Sequence, residues 1–207
     1  MWIDHLVVSG TNLKDSCDYL EDSLEVQMED GGQHHLFGTH NKLLGLHDGL
    51  YLECIAIDPS AKKPQHPRWF DLDHFSGRPR LTNWVCGCKD VDQKLGKMPK
   101  EMGRVVKVSR DQLSWKITVP ESGILPFDNV FPALIEWNSM EKHPCKTLKR
   151  TNCSLKHLTI CHPYADRIEL LLGNCIDRRV SFKIKTYFGL FAELITGSGK
   201  RCMLECL

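Results

Sequence analysis

The chain opens on an apolar run, "WIDHLVVSG", whose length and β-branched content predict a strand. The period then changes. In "TNLKDSCDYLEDSLEV" the apolar residues Leu13, Cys17, Leu20 and Leu24 recur at three- and four-residue steps. That spacing predicts a helix buried on one side, with Thr11 or Asn12 as its N-cap. Three β-like runs follow: "EVQME" before a double glycine, "THNKLLGLH" after it, and "LYLECIAID" beyond an "HDG" turn. Gly31 and Gly32 read as a tight turn ahead of a strand, and Gly38 as a kink or bulge.

The same order begins again at "LTNWVCGC", continues through a short helical "DVDQKLGKM", and ends with "RVVKVS", "QLSWKITVP" and "PALIEWN". A tighter third copy starts at "SLKHLTICHP", with a helical "YADRIELLLGNC" and the runs "VSFKIKTY", "LFAELIT" and "KRCMLECL". The expectation is an α+β protein of repeated βαβββ modules at residues 1–60, 81–140 and 155–207, joined by linkers at 61–80 and 141–154 and packed as one globular unit. Aligning the openings sets Trp84 and His157 against His5. Aligning the closing strands sets Glu136 and Glu205 against Glu53.

Composition narrows the function classes. With 27 basic and 26 acidic residues interleaved in 207, no sustained field exists to recruit nucleic acid or anionic lipid. The N-terminal apolar run is too short for a membrane span and lacks the basic start of a signal peptide, so the expected address is the cytoplasm. Ten cysteines read as reduced thiols, several within apolar runs where a thiol packs as a small hydrophobe. "CGC" and "CMLEC" lack zinc-ribbon spacing, "TGSGK" lacks phosphate-loop spacing and reads as a hairpin turn, and no G-x-S-x-G elbow occurs.

A carboxylate inside an apolar strand is costly unless it is paired, hydrogen-bonded or bound to metal, so Glu53 demands an explanation. Alternation puts Tyr51, Glu53 and Ile55 on one face of their strand, and Ile3, His5 and Val7 on one face of theirs. A histidine on one strand facing a glutamate on another is half of a site for Zn²⁺, Ni²⁺, Mn²⁺ or Fe²⁺.

The words "IDH", "GGQH", "GTHNKLLGL", "YLECIAIDP", "LSWKITVP" and "LIEW", in this order, resemble the glyoxalase-like domain group of the vicinal oxygen chelate superfamily. The resemblance covers nearly the whole chain. It implies a cupped, barrel-like mixed sheet with helices outside. It also implies a divalent metal held by one residue from each module's first strand and a glutamate from each last strand. His5 and Glu53 match the first module's positions and Glu136 the second module's glutamate, whereas Trp84 falls at the remaining position and cannot ligate a cation. Two repairs are open. Either His34, the histidine of the "GG-x-H" word, supplies a ligand or proton carrier, or module three pairs with module one through His157 and Glu205.

Glu136 and His34 are the candidate bases, and Asn41, Trp115 and Trp137 the candidate pocket residues. The implied activity is that of a metal-dependent lyase, isomerase or oxygenase acting on a small molecule with neighbouring oxygens. The alternatives are a metal-free module that binds or sequesters a small molecule in the same cup, and a scaffold that associates with another chain.

Overall fold

The computed structural model describes residues 1–110, 112–173 and 177–206. The first unit comprises β1 (Trp2–Ser9), α1 (Leu13–Leu24), β2 (Glu29–His34), β3 (Thr39–Gly45) and β4 (Tyr51–Ile57). Strands β2, β3 and β4 form an antiparallel meander, and β4 closes it by lying parallel to β1. Asn12 caps α1 by accepting from the Asp15 N–H, and Cys17, Leu20 and Leu24 are buried at the predicted helical spacing.

The second unit repeats that pairing with β5 (Arg80–Gly87), α2 (Val91–Leu95), β6 (Arg104–Arg110), β7 (Leu113–Val119) and β8 (Ala133–Trp137). An antiparallel β1–β5 pair joins the halves into one mixed sheet of eight strands, in the order β2-β3-β4-β1-β5-β8-β7-β6. The sheet curls into a half-barrel with α1 and α2 outside. In the connection between the halves, a 3-10 turn at Trp69–Asp71 buries Trp69 and Phe70 against the concave side.

The register of the central pair carries an internal two-fold. Exchanging β1 and β5 maps Trp2–Gly87 onto Arg80–Ser9, Ile3–Cys86 onto Leu81–Val8, and His5–Val85 onto Asn83–Val7. Leu6–Trp84 maps onto itself and so lies on the axis. The register shifts obey the same symmetry, leaving Asp4 unpaired on one strand and Thr82 on the other. Thus Asn83, not Trp84, is the counterpart of His5. Trp84 shares the face of Leu6, is fully buried, and donates its indole N–H to the Val130 carbonyl.

Two further expectations change. The double glycine lies within β2 rather than in a turn before the next strand, because its role is close approach. A Cβ on Gly31 would come within 2.6 Å of the Asn41 carbonyl oxygen, and one on Gly32 within 2.5 Å of Arg110 Cδ. The reversal itself falls after His34, whose carbonyl accepts from the Phe37 and Gly38 N–H groups, with Gly38 in the left-handed region at φ 59°.

Beyond α3 (Pro144–Thr147), the remaining elements are β9 (Ser154–His162), α4 (Ala165–Leu172), β10 (Val180–Ile184), β11 (Gly189–Ile195) and β12 (Arg201–Glu205). They keep the order of the first two units but not their pairing. They build a separate sheet, β10-β9-β11-β12, in which the parallel partner of the first strand is β10 and not the last strand. Burial explains the choice. Leu158 and Ile160 on β9, and Leu190, Ala192 and Leu194 on β11, give these strands fully buried rows that belong in the middle. β12 alternates exposed Arg201, Met203 and Glu205 with more buried neighbours and suits an edge. No helix among the described residues is long and apolar enough to cross a membrane.

Truncating Trp84 should cost about 3–5 kcal/mol, the usual range for emptying a large aromatic site in a core. Urea unfolding of Trp84→Ala should show a lower midpoint at unchanged m-value. Trp84→Phe should fall between the variant and the parent.

Candidate functional site

The bulge at Asp4 organises the concave side of β1. A regular strand would send Asp4 and His5 to opposite faces, whereas the extra residue lets both carry their side chains into one network. Asp4 Oδ1 lies 2.8 Å from His5 Nδ1, and Asp4 Oδ2 lies 2.9 Å from His143 Nε2. The Trp137 indole N–H also donates to Asp4 Oδ2, at 3.1 Å. On the other side of the imidazole, His5 Nε2 is 3.5 Å from Glu53 Oε2. The Asn41 amide donates to Glu53 Oε1 at 2.5 Å, and Asn41 Oδ1 accepts from the Gly32 N–H and from Arg110 Nη1, both at 2.9 Å. A continuous chain of alternating donors and acceptors thus runs from His143 through Asp4, His5, Glu53 and Asn41 to Arg110.

These groups are buried, and burial sets their protonation. Desolvation alone would strip His5 of its proton, but the Asp4 and Glu53 carboxylates outweigh it and lift the imidazole to about 9. Desolvation would likewise protonate Asp4 and Glu53, yet hydrogen bonding to the flanking histidines holds Asp4 well below the usual carboxylate range, and His5 and Asn41 hold Glu53 below it. His5 is therefore a cation between two carboxylates at neutral pH. Its ring stacks on Tyr51 with centroids 4.4 Å apart, and burial raises the Tyr51 phenol well above its ordinary value.

His34 behaves differently. It contributes Nδ1 to a 3.1 Å contact with Thr39 Oγ1, and desolvation, the dominant influence, pushes its imidazole down to about 4. It is neutral at pH 7, set edge-on to Trp69 and Trp115.

His5, His34, Asn41, Glu53, Trp115 and Trp137 all line one narrow cavity of about 30 Å³. Tyr51, Arg110 and the connection residues Trp69 and Phe70 complete much of its wall. Glu136 does not join them. Strand alternation places Ile135 and Trp137 toward the cavity and Glu136 on the opposite face, where its Oε2 accepts from the Val91 N–H at the start of α2 and its Oε1 lies 3.6 Å from Lys116 Nζ. It is a helix-anchoring residue, and its expected place as base or ligand is corrected accordingly. His157 and Glu205 belong to the second sheet. His157 contacts Ser181 across that sheet and Glu205 is exposed, so the pairing of modules one and three does not form.

The two-fold also tests the expected metal set. With β1–β4 and β5–β8 in matching parallel register, Val7–Glu53 corresponds to Val85–Ala133, so the counterparts of His5 and Glu53 are Asn83 and Ala133. Among the described residues, the second half contributes neither imidazole nor carboxylate to the cavity wall. His34 shares the cavity, but the only described trio of His, Cys, Asp or Glu ligand atoms within 4.8 Å of one another is Asp90, Asp92 and Glu136, on the outer side. Those acidic groups already cap α2 or contact Lys116. The cup therefore does not fit the two-histidine, two-glutamate centre implied by the resemblance.

Asp4, Tyr51, Arg110 and His143 are site residues that the sequence reading missed. Two of them carry a local signal: Tyr51 shares the strand face of Glu53 by alternation, and Asp4 sits beside His5, although alternation argues against it.

Raising the His5 pKa above its ordinary 6.5 makes the chain stabilising below that pH, and this contribution is lost as pH rises through about 9. His5→Gln should therefore be clearly less stable than the parent at pH 6, and the gap should shrink at pH 9.5. Chemical denaturation of both proteins at the two pH values checks it.

A family model described as a glyoxalase-like domain matches residues 3–174. Among solved structures, a hypothetical protein from Staphylococcus aureus superposes with TM-score 0.56 at 14% identity, covering 98% of this chain and 84% of that one. A variant of Streptomyces coelicolor methylmalonyl-CoA epimerase in complex with 2-nitronate-propionyl-CoA gives TM-score 0.46 at 16% identity, over 66% of this chain and 94% of that one. A hypothetical protein from Bacillus halodurans gives 0.44 at 16% identity, over 68% and 95%. No curated protein matches the chain. The Staphylococcus aureus likeness speaks to the fold, and the family match over residues 3–174 settles membership: this chain belongs to the glyoxalase-like domain family of the vicinal oxygen chelate superfamily.

Proposed function

We propose that the cup is a metal-independent proton-transfer site for a small molecule bearing a carbonyl beside a second oxygen. The observation that carries this reading is the buried His5–Glu53 ion pair on the wall of the cavity, with Asn83 and Ala133 standing where a second ligand pair would be. Such a pair supplies a carboxylate base and an adjacent cation in one buried place. Glu53 takes a proton from the carbon next to the carbonyl. His5, held charged by Asp4, stabilises the enolate oxygen, and the same carboxyl group returns the proton to the neighbouring carbon while the hydroxyl proton moves from the second oxygen to the first. The sum of these steps is an isomerisation.

The depressed pKa of Glu53 makes it a weak base by itself, so the reaction depends on the cation beside it. A buried, preorganised site strengthens that electrostatic help. Neutral His34, which lines the same cavity, exchanges a proton with the second oxygen of the substrate.

The test is carbon-bound hydrogen exchange in D₂O, followed by proton NMR over a panel of small 2-oxo acids, 2-hydroxy acids and α-hydroxy ketones. Exchange into at least one class should survive exhaustive chelation. Positioned general bases typically contribute about 10²–10⁴-fold, so Glu53→Gln should slow exchange by at least about 100-fold. Absence of exchange across the whole panel overturns the proposal. So does a rate that disappears on chelation and returns with a divalent ion.

A further inference from the structure

Arg110 ends β6, the edge strand of the second half, and its side chain crosses to the edge of the first. Its Cδ lies over Gly32, and its Nη1 donates to Asn41 at 2.9 Å. A guanidinium carries five N–H donors in a planar fork. Among the described residues, no carboxylate lies within ion-pair distance of Arg110, and its buried Nε has no hydrogen-bond partner. The carboxylate nearest along the network, Glu53, is already shared between His5 and Asn41. A second buried donor on the same cavity wall, the Trp69 indole N–H, also lacks an acceptor among the described residues.

Two buried N–H donors without acceptors are costly, and the cost is met when an anionic acceptor arrives. The walls beside them are flat and apolar, with Trp115 and Trp137 at 5.3 Å between centroids and Leu43, Ile117 and Ile135 around them.

We infer that Arg110 is the anchor for a carboxylate on the ligand, and that the ligand's apolar body packs against Trp115 and Trp137. This specifies the substrate class for the proton-transfer reading above and rests on the same cavity being the site. The planar fork offers two parallel N–H bonds to either a carboxylate or a phosphate, and the flat apolar walls beside it favour the anion that carries an apolar body, the organic carboxylate. Asn41 then has two duties: it holds Glu53 with its amide nitrogen and Arg110 with its amide oxygen, which fixes the distance between the base and the anchored group.

The probes are benzoate, its neutral isostere benzamide, and inorganic phosphate, titrated at constant ionic strength while tryptophan fluorescence is followed. Benzoate should quench saturably, with benzamide and phosphate at least ten-fold weaker. Arg110→Gln should weaken benzoate at least ten-fold while leaving benzamide unchanged, and Arg110→Lys should fall between, because it keeps the charge and loses the fork. Near-UV circular dichroism confirms that each variant is folded, and the lysine variant carries the test if the glutamine variant is not.

Equal affinity for benzoate and benzamide, tighter binding of phosphate, or benzoate binding indifferent to Arg110→Gln overturns the assignment, as does absence of saturable binding by any probe. Glu53→Gln separates the two proposals, since it should abolish exchange yet retain benzoate binding. Arg110-dependent benzoate binding without hydrogen exchange sinks only the proton-transfer reading. Exchange without Arg110-dependent binding sinks only this one.

Discussion

A negative charge buried at Asp4 is the constraint around which the cup is arranged. Removing a carboxylate from water costs several kcal/mol unless its lone pairs are occupied, and Asp4 meets that demand with His5, His143 and Trp137. Each partner comes from a different part of the chain: the same strand, the segment leading into α3, and the last strand of the second half. Satisfying one carboxylate therefore draws the linker after β8 onto the tip of the first strand. It also fixes the His5 ring, whose other nitrogen then meets Glu53. Were β1 a regular strand without its bulge, Asp4 would face the helices and His5 would lose the group that keeps it charged.

The two halves of the sheet share a backbone plan and divide the chemistry unequally. The register symmetry across β1 and β5 extends to the unpaired residues Asp4 and Thr82, yet the side chains at related positions have different natures. Where the first half places His5 and Glu53, the second places Asn83 and Ala133. The second half supplies Trp115, Ile117, Ile135 and Trp137 instead, together with the cation Arg110. The result is a cavity with a polar wall and an aromatic wall, in place of a centre ligated symmetrically from both sides.

Much of this was legible in the sequence where local periodicity decides the outcome. The helical spacing of Leu13, Cys17, Leu20 and Leu24, the apolar run around Glu53, and the repeated strand-helix-strand order all follow from side-chain patterns that act over a few residues. The concave convergence of His5 with Glu53 follows from their parity on neighbouring strands. What escaped depends on backbone irregularity or on distant pairing. A bulge at Asp4 reverses the parity that alternation assigns. The column that set Trp84 against His5 was shifted by one residue, enough to exchange one face of a strand for the other. Glu136 was assigned by its place late in an apolar strand, and strand alternation puts it outside. Arg110 and His143 lie at a strand end and in a linker, where no periodic signal exists. The third unit repeats the element order faithfully, but the strands that carry a fully buried row, β9 and β11, take the middle of its sheet.

The side chain of Arg110 is the tie that spans from the last edge of the half-barrel to the first. The same guanidinium holds Asn41 and lines the cavity, so the tie between the two edges is also part of the cavity wall. The double glycine of β2 sets the gauge of that fastening, since even one methyl group at Gly32 would press on the arginine stem. The half-barrel is thereby a clasp, joined at its back by the β1–β5 seam and fastened at its rim by one arginine.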